Sequence, residues 1–493
     1  MNNSDSPDST VSPELTTVEL HPAETNGPPK EPNGPPKEPY DPELDKWDGS
    51  GSRIFTMRDR VFKIIATATG FITDTYDVFC INHVLYMLQV IYGASFTGVM
   101  ASWVSTATII CAVFGMLTFA TFSTRFSNYR LKGFIITISL VIFGSFGSGF
   151  FTWGDITSVS VVLIIMRAIL GFGVGGEYPL SANVSRDGGG TATDSAIVFS
   201  MQGVGSLFSA LVTMFAITVM PIDWAWRFVL IFGGIIGCVA LPLRLFVVRK
   251  YHNHNHHHTK STVPFKTKAI TFFKTILANW KNLLGTSGSW FLIDVSFYGN
   301  ALFLDTILTL TGIGTGVTPS EKVFDKATLA TYIALIALPG YALGALTSRK
   351  IGVKYCQFFG FCALFLLYGA MAIWFDSLKT IPVAFMICYA LTFLFTHWGP
   401  NTTTYIMPVQ EGVFSEDFRT MGHGISAAIG KVGAVVGTLA INAASKNSVS
   451  DGLIISSMAA LLGAILTFVI FMWPEKWNCS KCKKTCPETC PEK

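Results

Sequence analysis

The sequence contains few charged residues. Asp, Glu, Lys and Arg make up 13% of its 493 residues, and half of the chain is hydrophobic. Because a soluble domain averages about 25% charged residues, a soluble protein of this length would lack the charge to cover its surfaces. The composition argues against a large soluble enzyme or a nucleic-acid-binding protein. It predicts an integral membrane protein in contact with a lipid bilayer.

We expect no signal peptide in the polar N-terminal segment of the sequence. Residues 1–52 are polar and rich in proline, and the repeat NGPPKEP occurs at 26–32 and again at 33–39. This composition is typical of a disordered segment. We therefore expect a disordered cytoplasmic tail at 1–52, followed by an apolar helix that acts as the insertion signal.

Long apolar stretches follow the tail. Each has about 20 residues or more, the length at which a helix crosses roughly 30 Å of hydrocarbon. Six precede a hydrophilic connection and six follow it. The twelve predicted spans are 61–82, 97–122, 131–152, 158–181, 195–220, 226–248, 286–311, 326–347, 354–375, 380–407, 419–443 and 452–473.

Basic residues accumulate in alternate connections, whereas the intervening connections are short and carry mixed or acidic charge. By the positive-inside rule, this distribution places both termini in the cytoplasm and requires an even number of helices. The basic residues are Arg53, Arg58, Arg60, Lys63, Arg125, Arg130, Lys132, Arg249, Lys250, Arg349, Lys350, Lys354, Lys476, Lys481, Lys483 and Lys484.

The predicted fold is an all-α membrane protein with twelve transmembrane helices in two six-helix halves. This organisation resembles the major facilitator fold, in which substrate binds at mid-membrane between the halves. After the tail, the predicted domains are an N-terminal half at 53–248, a cytoplasmic His-rich loop at 249–284, a C-terminal half at 285–473 and a cytoplasmic Cys-rich tail at 474–493.

Two polar segments contain residues that bind metals in other proteins. HNHNHHH at 252–258 offers imidazoles, which suit zinc, copper and nickel, but a solvated low-complexity loop is the favoured interpretation. In the C-terminal tail, closely spaced thiols leave open a regulatory zinc or redox site beside a plain solvated tail. No cofactor is predicted. The four cysteines of the tail are Cys479, Cys482, Cys486 and Cys490.

Ionisable side chains within the apolar stretches are informative, because each costs roughly 2.5–3.5 kcal/mol near the bilayer centre. Asp74 and Asp77 in FITDTYDVF are three residues apart, which places them on one helical face. Arg167 and Glu177 lie in the fourth stretch. The glycines that precede Tyr178 there allow another helix, or a substrate, to approach the backbone closely.

The second half contains a polar stripe. Trp290, Asp294 and Tyr298 are four residues apart, so an indole, a carboxyl and a phenol share one side of a helix. Lys431 lies mid-helix among small residues, where its side chain cannot easily reach water by snorkelling. We therefore predict that it faces a cavity. Two further buried amides are Gln202 and Asn401.

These segments resemble the proton-coupled inorganic phosphate symporter family of the major facilitator superfamily, from about Arg58 to Pro474. The most specific segments occur in the expected helices and in the expected order. They are GFITDTYDVFCIN (70–82), RAILGFGVGGEYPLSA (167–182), WFLIDVSFYG (290–299), GPNTTTYIMP (399–408) and HGISAAIGKVGAVVG (423–437).

The resemblance implies a role for each matching residue. Asp74 and Glu177 match proton-handling positions, and Arg167 matches a basic position important for transport. Asp77 is assigned to proton coupling with them because it shares the helical face of Asp74. The predicted substrate-binding residues are Tyr178, Gln202, Trp290, Asp294, Tyr298, Asn401 and Lys431.

The chain departs from the family pattern at Glu177, because Asp is usual in the segment GGDYPLS. Glutamate at this position also resembles relatives that carry glycerophosphodiesters. The cytoplasmic signature loops differ as well, and in the family those loops latch one conformational state, so we expect different gating energetics. The differing loop positions are Thr124, Ser127, Arg349 and Val353.

Carboxyl groups beside an anion suggest coupling to protons. An ionised Asp294 would repel phosphate in a low-dielectric cavity, whereas the protonated acid donates a hydrogen bond to a phosphate oxygen. By linkage, each ligand then strengthens binding of the other. We therefore expect import of inorganic phosphate with protons by alternating access, and no enzymatic activity, since no soluble catalytic domain remains.

Two alternatives share these features. One is a transporter of a phosphorylated organic solute such as a glycerophosphodiester, and the other is a phosphate-sensing, transporter-like receptor. Only the resemblance disfavours sodium coupling. The expected location is the plasma membrane, with a vacuolar membrane as the alternative. The sequence does not determine the oligomeric state.

Overall fold

In a computed structural model, the chain is described over 57–125, 129–186, 190–252, 274–300, 316–445 and 448–473. These residues form helices and short connections, with no strand among them. Eleven of their helices are long and apolar enough to cross a membrane. The prediction of a helical, multi-pass membrane protein is confirmed. The N-terminal repeat and the Cys-rich tail lie outside the described residues, as do 253–273 of the predicted His-rich loop.

The helices are numbered here in chain order. The first six are α1 (Met57–Tyr92), α2 (Gly98–Arg125), α3 (Tyr129–Phe150), α4 (Ile156–Arg186), α5 (Ala192–Val219) and α6 (Ile222–His252). The next six are α7 (Trp280–Gly299), α8 (Pro319–Lys350), α9 (Val353–Ile373), α10 (Pro382–Trp398), α11 (Glu416–Ser445) and α12 (Val449–Thr467). The predicted span 286–311 coincides with α7 only up to Asn300, since 301–315 lie outside the described residues.

Helix starts follow from local capping chemistry. Before α4, the Asp155 carboxylate accepts hydrogen bonds from the Thr157 amide at 3.1 Å and from the Ser158 hydroxyl at 2.6 Å. These bonds stabilise the ionised form and lower the pKa of Asp155. Before α8, the Thr318 hydroxyl accepts from the Glu321 amide at 3.3 Å, which completes a capping box.

The predicted span 380–407 is not one continuous helix. α10 ends at Trp398, and a separate short helix, Pro400–Ile406, begins after Gly399. Pro400 has no amide hydrogen, and its ring disfavours helical geometry at the residue before it. Irregular backbone at membrane depth is tolerated where protein buries it or where it lines a cavity. The break therefore marks this region as part of the protein interior.

The described helices pack as two groups that meet along two helix pairs. In the first group, α1 contacts α5 and α6, while α2 and α3 both contact α4. In the second group, α7 contacts α11, α8 contacts α10, and α9 contacts α12. The groups join mainly where α2 contacts α11 and where α5 contacts α8, and α4 also contacts α11. The interior between the halves lies among these contacts.

Large apolar side chains cover the outside of the bundle at mid-helix positions. Phe215 in α5 is 57% exposed, Val239 in α6 is 63% exposed, and Leu439 in α11 is 66% exposed. Such continuous apolar exposure is unusual for a protein surface in water. It is the surface that a lipid bilayer covers, as the low charge content predicts.

Candidate functional site

A small cavity lies between the two halves. Its volume is about 10 Å³, which is room for roughly one water molecule. Both halves contribute to it, and four of the predicted site residues line it. The lining residues are Phe71, Asp74, Thr75, Val78, Phe79, Val174, Tyr178, Gln202 and Tyr298.

Lys431 lies at the boundary between the halves and contacts three predicted site residues. Its Nζ donates to Asp294 Oδ2 at 3.0 Å and to the Tyr298 hydroxyl at 2.8 Å. It also lies 5.4 Å from the centre of the Tyr178 ring, which belongs to the first half. Asp294 and Lys431 are buried. The structure thus brings together a cation, a carboxylate and two phenols.

A network of neutral groups crosses the boundary between the halves. Gln202 Oε1, on α5, accepts from the Tyr341 hydroxyl at 3.1 Å and from Asn401 Nδ2 at 3.3 Å. Asn401 Nδ2 also lies 2.9 Å from His397 Nδ1. The rings of Tyr341 and His397 stack with centroids 4.1 Å apart. Gln202 and Asn401 were predicted, whereas Tyr341 and His397 were missed.

Asp77 is turned away from the cavity. Its Oδ1 accepts from the Ser145 hydroxyl of α3, and Arg167 Nη1 donates to its backbone carbonyl at 2.8 Å. Its Oδ2 has no hydrogen-bond partner. Although their spacing of three places Asp74 and Asp77 on one helical face, only Asp74 lines the cavity.

Glu177 also lies away from the cavity and forms an ion pair. Its Oε1 accepts from Arg244 Nη1 and from the Thr137 hydroxyl, and its Oε2 accepts from Arg244 Nη2 at 2.7 Å. Glu177 and Arg244 are both fully buried. Arg244 was missed by the sequence analysis, although it is an arginine within the predicted span 226–248 and so carried the same signal as Arg167.

Asp74 has neither the hydrogen-bond partner that Asp77 has nor the ion-pair partner that Glu177 has. It is 2% exposed, and neither of its carboxylate oxygens forms a hydrogen bond. A buried carboxylate without partners is costly when it is ionised. Asp74 is therefore suited to bind a proton in this conformation.

Trp290 is part of an aromatic layer next to the cavity, on the side where α7 begins. Its ring lies 6.2 Å from Tyr178, 6.3 Å from Tyr405 and 5.5 Å from His423. Phe199 of the first half stacks on Tyr405 of the second at 4.6 Å. Because these rings come from both halves, the layer closes this side of the cavity.

Comparison with known proteins agrees with this architecture. The family model of the Major Facilitator Superfamily matches residues 67–438. The chain is 28% identical to Inorganic phosphate transporter 1-11 of Oryza sativa subsp. japonica, over 86% of this chain and 87% of that protein. It is 30% identical to Probable inorganic phosphate transporter 1-8 of Arabidopsis thaliana, over 79% and 82% respectively. It is 29% identical to Low affinity inorganic phosphate transporter 1 of Petunia hybrida, over 83% and 89%.

Solved structures show the same fold at low sequence identity. The proton:xylose symporter XylE bound to 6-bromo-6-deoxy-D-glucose superposes with a TM-score of 0.66 at 15% identity, covering 84% of this chain and 96% of that one. A bacterial homologue of the iron transporter ferroportin in an outward-facing state gives 0.61 at 13% identity, covering 84% and 99%. The fold and the sequence relatives agree: the chain belongs to the major facilitator superfamily and, within it, to the inorganic phosphate transporters.

Proposed function

We propose that this protein imports inorganic phosphate together with protons, by alternating access to the site between its halves. The observation that carries the proposal is the position of Lys431. Its ammonium group lies at the boundary of the halves, with hydrogen bonds to Asp294 and Tyr298 and within reach of the Tyr178 ring. A cation beside two phenols suits an oxyanion that carries hydroxyl groups.

The Asp294–Lys431 pair provides a route to proton coupling. Phosphate that approaches Lys431 competes with the Asp294 carboxylate, which lies 3.0 Å from the ammonium nitrogen. Protonation of Asp294 removes this competition and turns the acid into a donor for a phosphate oxygen. A proton and phosphate then favour each other's binding, and this reciprocity is the thermodynamic basis of symport.

The size of the cavity supports alternating access. About 10 Å³ accommodates roughly one water molecule, and a phosphate ion is larger. The halves therefore have to separate on one side to admit phosphate, and then on the other side to release it. Movement of two six-helix units around a central site is how transporters of this architecture work.

The test is uptake of labelled phosphate by the purified protein in liposomes, with the proton and sodium gradients varied separately. We expect accumulation when the outside is acidic, loss of accumulation when a protonophore collapses the gradient, and no dependence on sodium. Accumulation that follows the sodium gradient instead would contradict proton coupling. Phosphate binding without flux in either gradient would favour the sensor alternative.

Substrate class is tested in the same liposomes by competition with glycerophosphodiesters. Glu177 suggested such esters from the sequence, but its carboxylate pairs with Arg244 and does not line the cavity. We therefore expect inorganic phosphate to compete with labelled phosphate and the diesters to compete weakly. Stronger competition by a diester than by phosphate itself would reverse this assignment.

The proposed location is the plasma membrane, with both termini in the cytoplasm. The distribution of basic residues supports this orientation. Epitope tags at each terminus should be accessible to antibody only after the cell membrane is permeabilised.

A further inference from the structure

The buried charges of the bundle do not balance. Apart from groups in the first two turns of a helix, the described residues bury four acids and three bases. The interior therefore contains one carboxylate more than its cations can neutralise. The acids are Asp74, Asp77, Glu177 and Asp294, and the bases are Arg167, Arg244 and Lys431.

Each base lies beside a different acid. Lys431 pairs with Asp294 at 3.0 Å, and Arg244 Nη2 lies 2.7 Å from Glu177 Oε2. Arg167 donates to the backbone of Asp77. Asp74 is the acid left over, and both of its carboxylate oxygens lack a hydrogen-bond partner.

We propose that Arg244 is a positioning residue that keeps Glu177 in a buried ion pair, so that Asp74, and not Glu177, is the acid of the first half that binds and releases the proton during transport. This inference rests on the proton coupling proposed above. It assigns different roles to two acids that the sequence grouped together.

Hydrogen-bond donors surround both carboxylate oxygens of Glu177. Both oxygens accept from Arg244. Oε1 also accepts from the Thr137 hydroxyl, and Oε2 accepts from Ser181 at 3.3 Å. Each oxygen of Glu177 is therefore already engaged by a donor from Arg244 and by a hydroxyl group.

Arg244 is itself fixed from several sides. Its guanidinium lies 4.0 Å from the centre of the Phe134 ring, and Nη1 donates to the Phe134 carbonyl at 3.1 Å. The guanidinium passes directly over Gly70 of α1, where a Cβ atom would overlap its Nη2. Gly70 is thus required for Arg244 to reach Glu177. It lies one helical turn before Asp74.

Asp74, by contrast, faces the cavity and is surrounded by groups that cannot neutralise it. Neither of its carboxylate oxygens has a hydrogen-bond partner, and Arg244 is already engaged by Glu177. Asp74 therefore keeps its proton while the cavity is closed and releases it when water enters from the inner side. The charged and titratable groups that face Asp74 are Glu177, Arg244, Asp77, Tyr178 and Tyr405.

The experiment compares variants in two liposome assays, proton-driven phosphate accumulation and phosphate–phosphate exchange, because exchange needs no net proton release. Asp74→Asn should lose accumulation at least tenfold while it retains exchange. The double variant Glu177→Gln with Arg244→Met removes the ion pair without leaving a buried charge, and it should retain both activities. Accumulation lost with exchange retained in this double variant would overturn the proposal.

The single variant Arg244→Met tests the positioning role. It leaves Glu177 without its counter-ion, so a second acid must bind a proton, and uptake should depend more steeply on the outside proton concentration. Adding Glu177→Gln should restore the wild-type dependence. A purely structural role of Arg244 would lower the amount of folded protein without changing this dependence.

Gly70→Ala provides an independent test, because it displaces Arg244 and changes no charged residue. It should reproduce the steeper proton dependence of Arg244→Met. Gly98→Ala is the matched control, since no atom lies within 4 Å of the added Cβ. A Gly70→Ala variant with the wild-type proton dependence would contradict the assignment.

If the wild-type protein moves no phosphate in either assay, the proposed phosphate transport itself is wrong. This outcome differs from failure of the Glu177 and Asp74 assignment, in which the wild-type protein transports phosphate but the variants do not behave as expected.

Discussion

Lys431 provides the positive charge of the candidate site, and its ammonium group has three neighbours in well-defined geometry. Replacing it by Met should lower kcat/KM for phosphate uptake by about tenfold or more, because loss of one partner in a buried charge pair costs about 2–5 kcal/mol. Lys431→Arg is the matched control. It retains the charge but changes the geometry, so it should lose less activity.

The measurement is the initial rate of phosphate uptake into liposomes over a range of phosphate concentrations, normalised to folded protein. Tyr298→Phe serves as a second comparison. It removes only the hydroxyl that accepts from Lys431 at 2.8 Å, so its effect should be smaller than that of Lys431→Met. Equal activity of Lys431→Met and the wild type would exclude Lys431 from the substrate site.

Tyr341 connects the halves through a neutral hydrogen bond. Tyr341→Phe removes the donor to Gln202 Oε1, which retains only the longer bond from Asn401 at 3.3 Å. A typical hydrogen bond contributes about 0.5–1.5 kcal/mol. We therefore expect KM for phosphate to rise a few-fold with kcat little changed. A fall in kcat with KM unchanged would instead assign Tyr341 to the conformational change.

The sequence predicted individual site residues where an ionisable side chain lies within an apolar, membrane-spanning helix. Lys431, Asp294 and Asp74 were identified because a charge in an apolar helix needs an explanation, and the structure places all three at the boundary of the halves or in the cavity. The pairing of Glu177 with Arg244 was not predictable in this way. It depends on which helices are neighbours, and α4 and α6 are far apart in sequence.

At the level of helices, the close approach of α4 to α2 depends on glycines. An added Cβ on Gly175 would overlap the Ala112 carbonyl, and one on Gly171 would overlap the Thr108 carbonyl. Backbone cannot move aside as a flexible side chain can. The sequence left open whether these glycines admit a helix or a substrate, and the structure shows that at these two positions they admit a helix.

Gly175→Ala should therefore destabilise the folded protein by about 1–3 kcal/mol, the usual cost of overpacking. The measurement is the midpoint of thermal unfolding in detergent, followed by loss of the monodisperse peak in size-exclusion chromatography. Gly369→Ala is a suitable control, since its added Cβ would meet only the Ser457 hydroxyl, at 3.2 Å. A lower midpoint for Gly369→Ala than for Gly175→Ala would contradict this account of the α2–α4 contact.

Most helix ends were predictable to within a few residues, although the first helix extends to Tyr92, well past its predicted end at 82. The interruption after α10 was missed. The hydropathy of 380–407 indicates a continuous apolar stretch, because Gly399 and Pro400 are not polar. The physical signal was the missing amide hydrogen of Pro400. Recognising it would have placed His397 and Asn401 on either side of a break, the position at which discontinuous helices contribute to substrate sites.

For the whole molecule, contacts between the halves lie on both sides of the central cavity. On one side, Phe199 stacks on Tyr405 at 4.6 Å. On the other, the Lys326 ammonium lies 4.2 Å from the centre of the Tyr86 ring. Hydropathy and motifs predicted two halves with a site between them. They could not predict these contacts, because the relative position of the halves depends on which side chains meet across the boundary.

The proposed alternating access requires the ends of α2 and α11 to separate during each cycle. Thr121 and Met421 meet there across the boundary, with the Thr121 hydroxyl 3.9 Å from the Met421 sulfur. Replacing both by Cys and joining them with a short bis-methanethiosulfonate reagent should reduce phosphate uptake at least tenfold. Reduction of the link should restore it. Each single Cys variant treated with the same reagent is the control, because the chain has ten native cysteines.

Phosphate exchange across the membrane should be blocked as well, since a closed inner side stops the cycle whether or not a proton moves. A cross-linked protein that still exchanges phosphate at the wild-type rate would show that α2 and α11 stay together during transport. The path to the inner side would then have to open along α5 and α8.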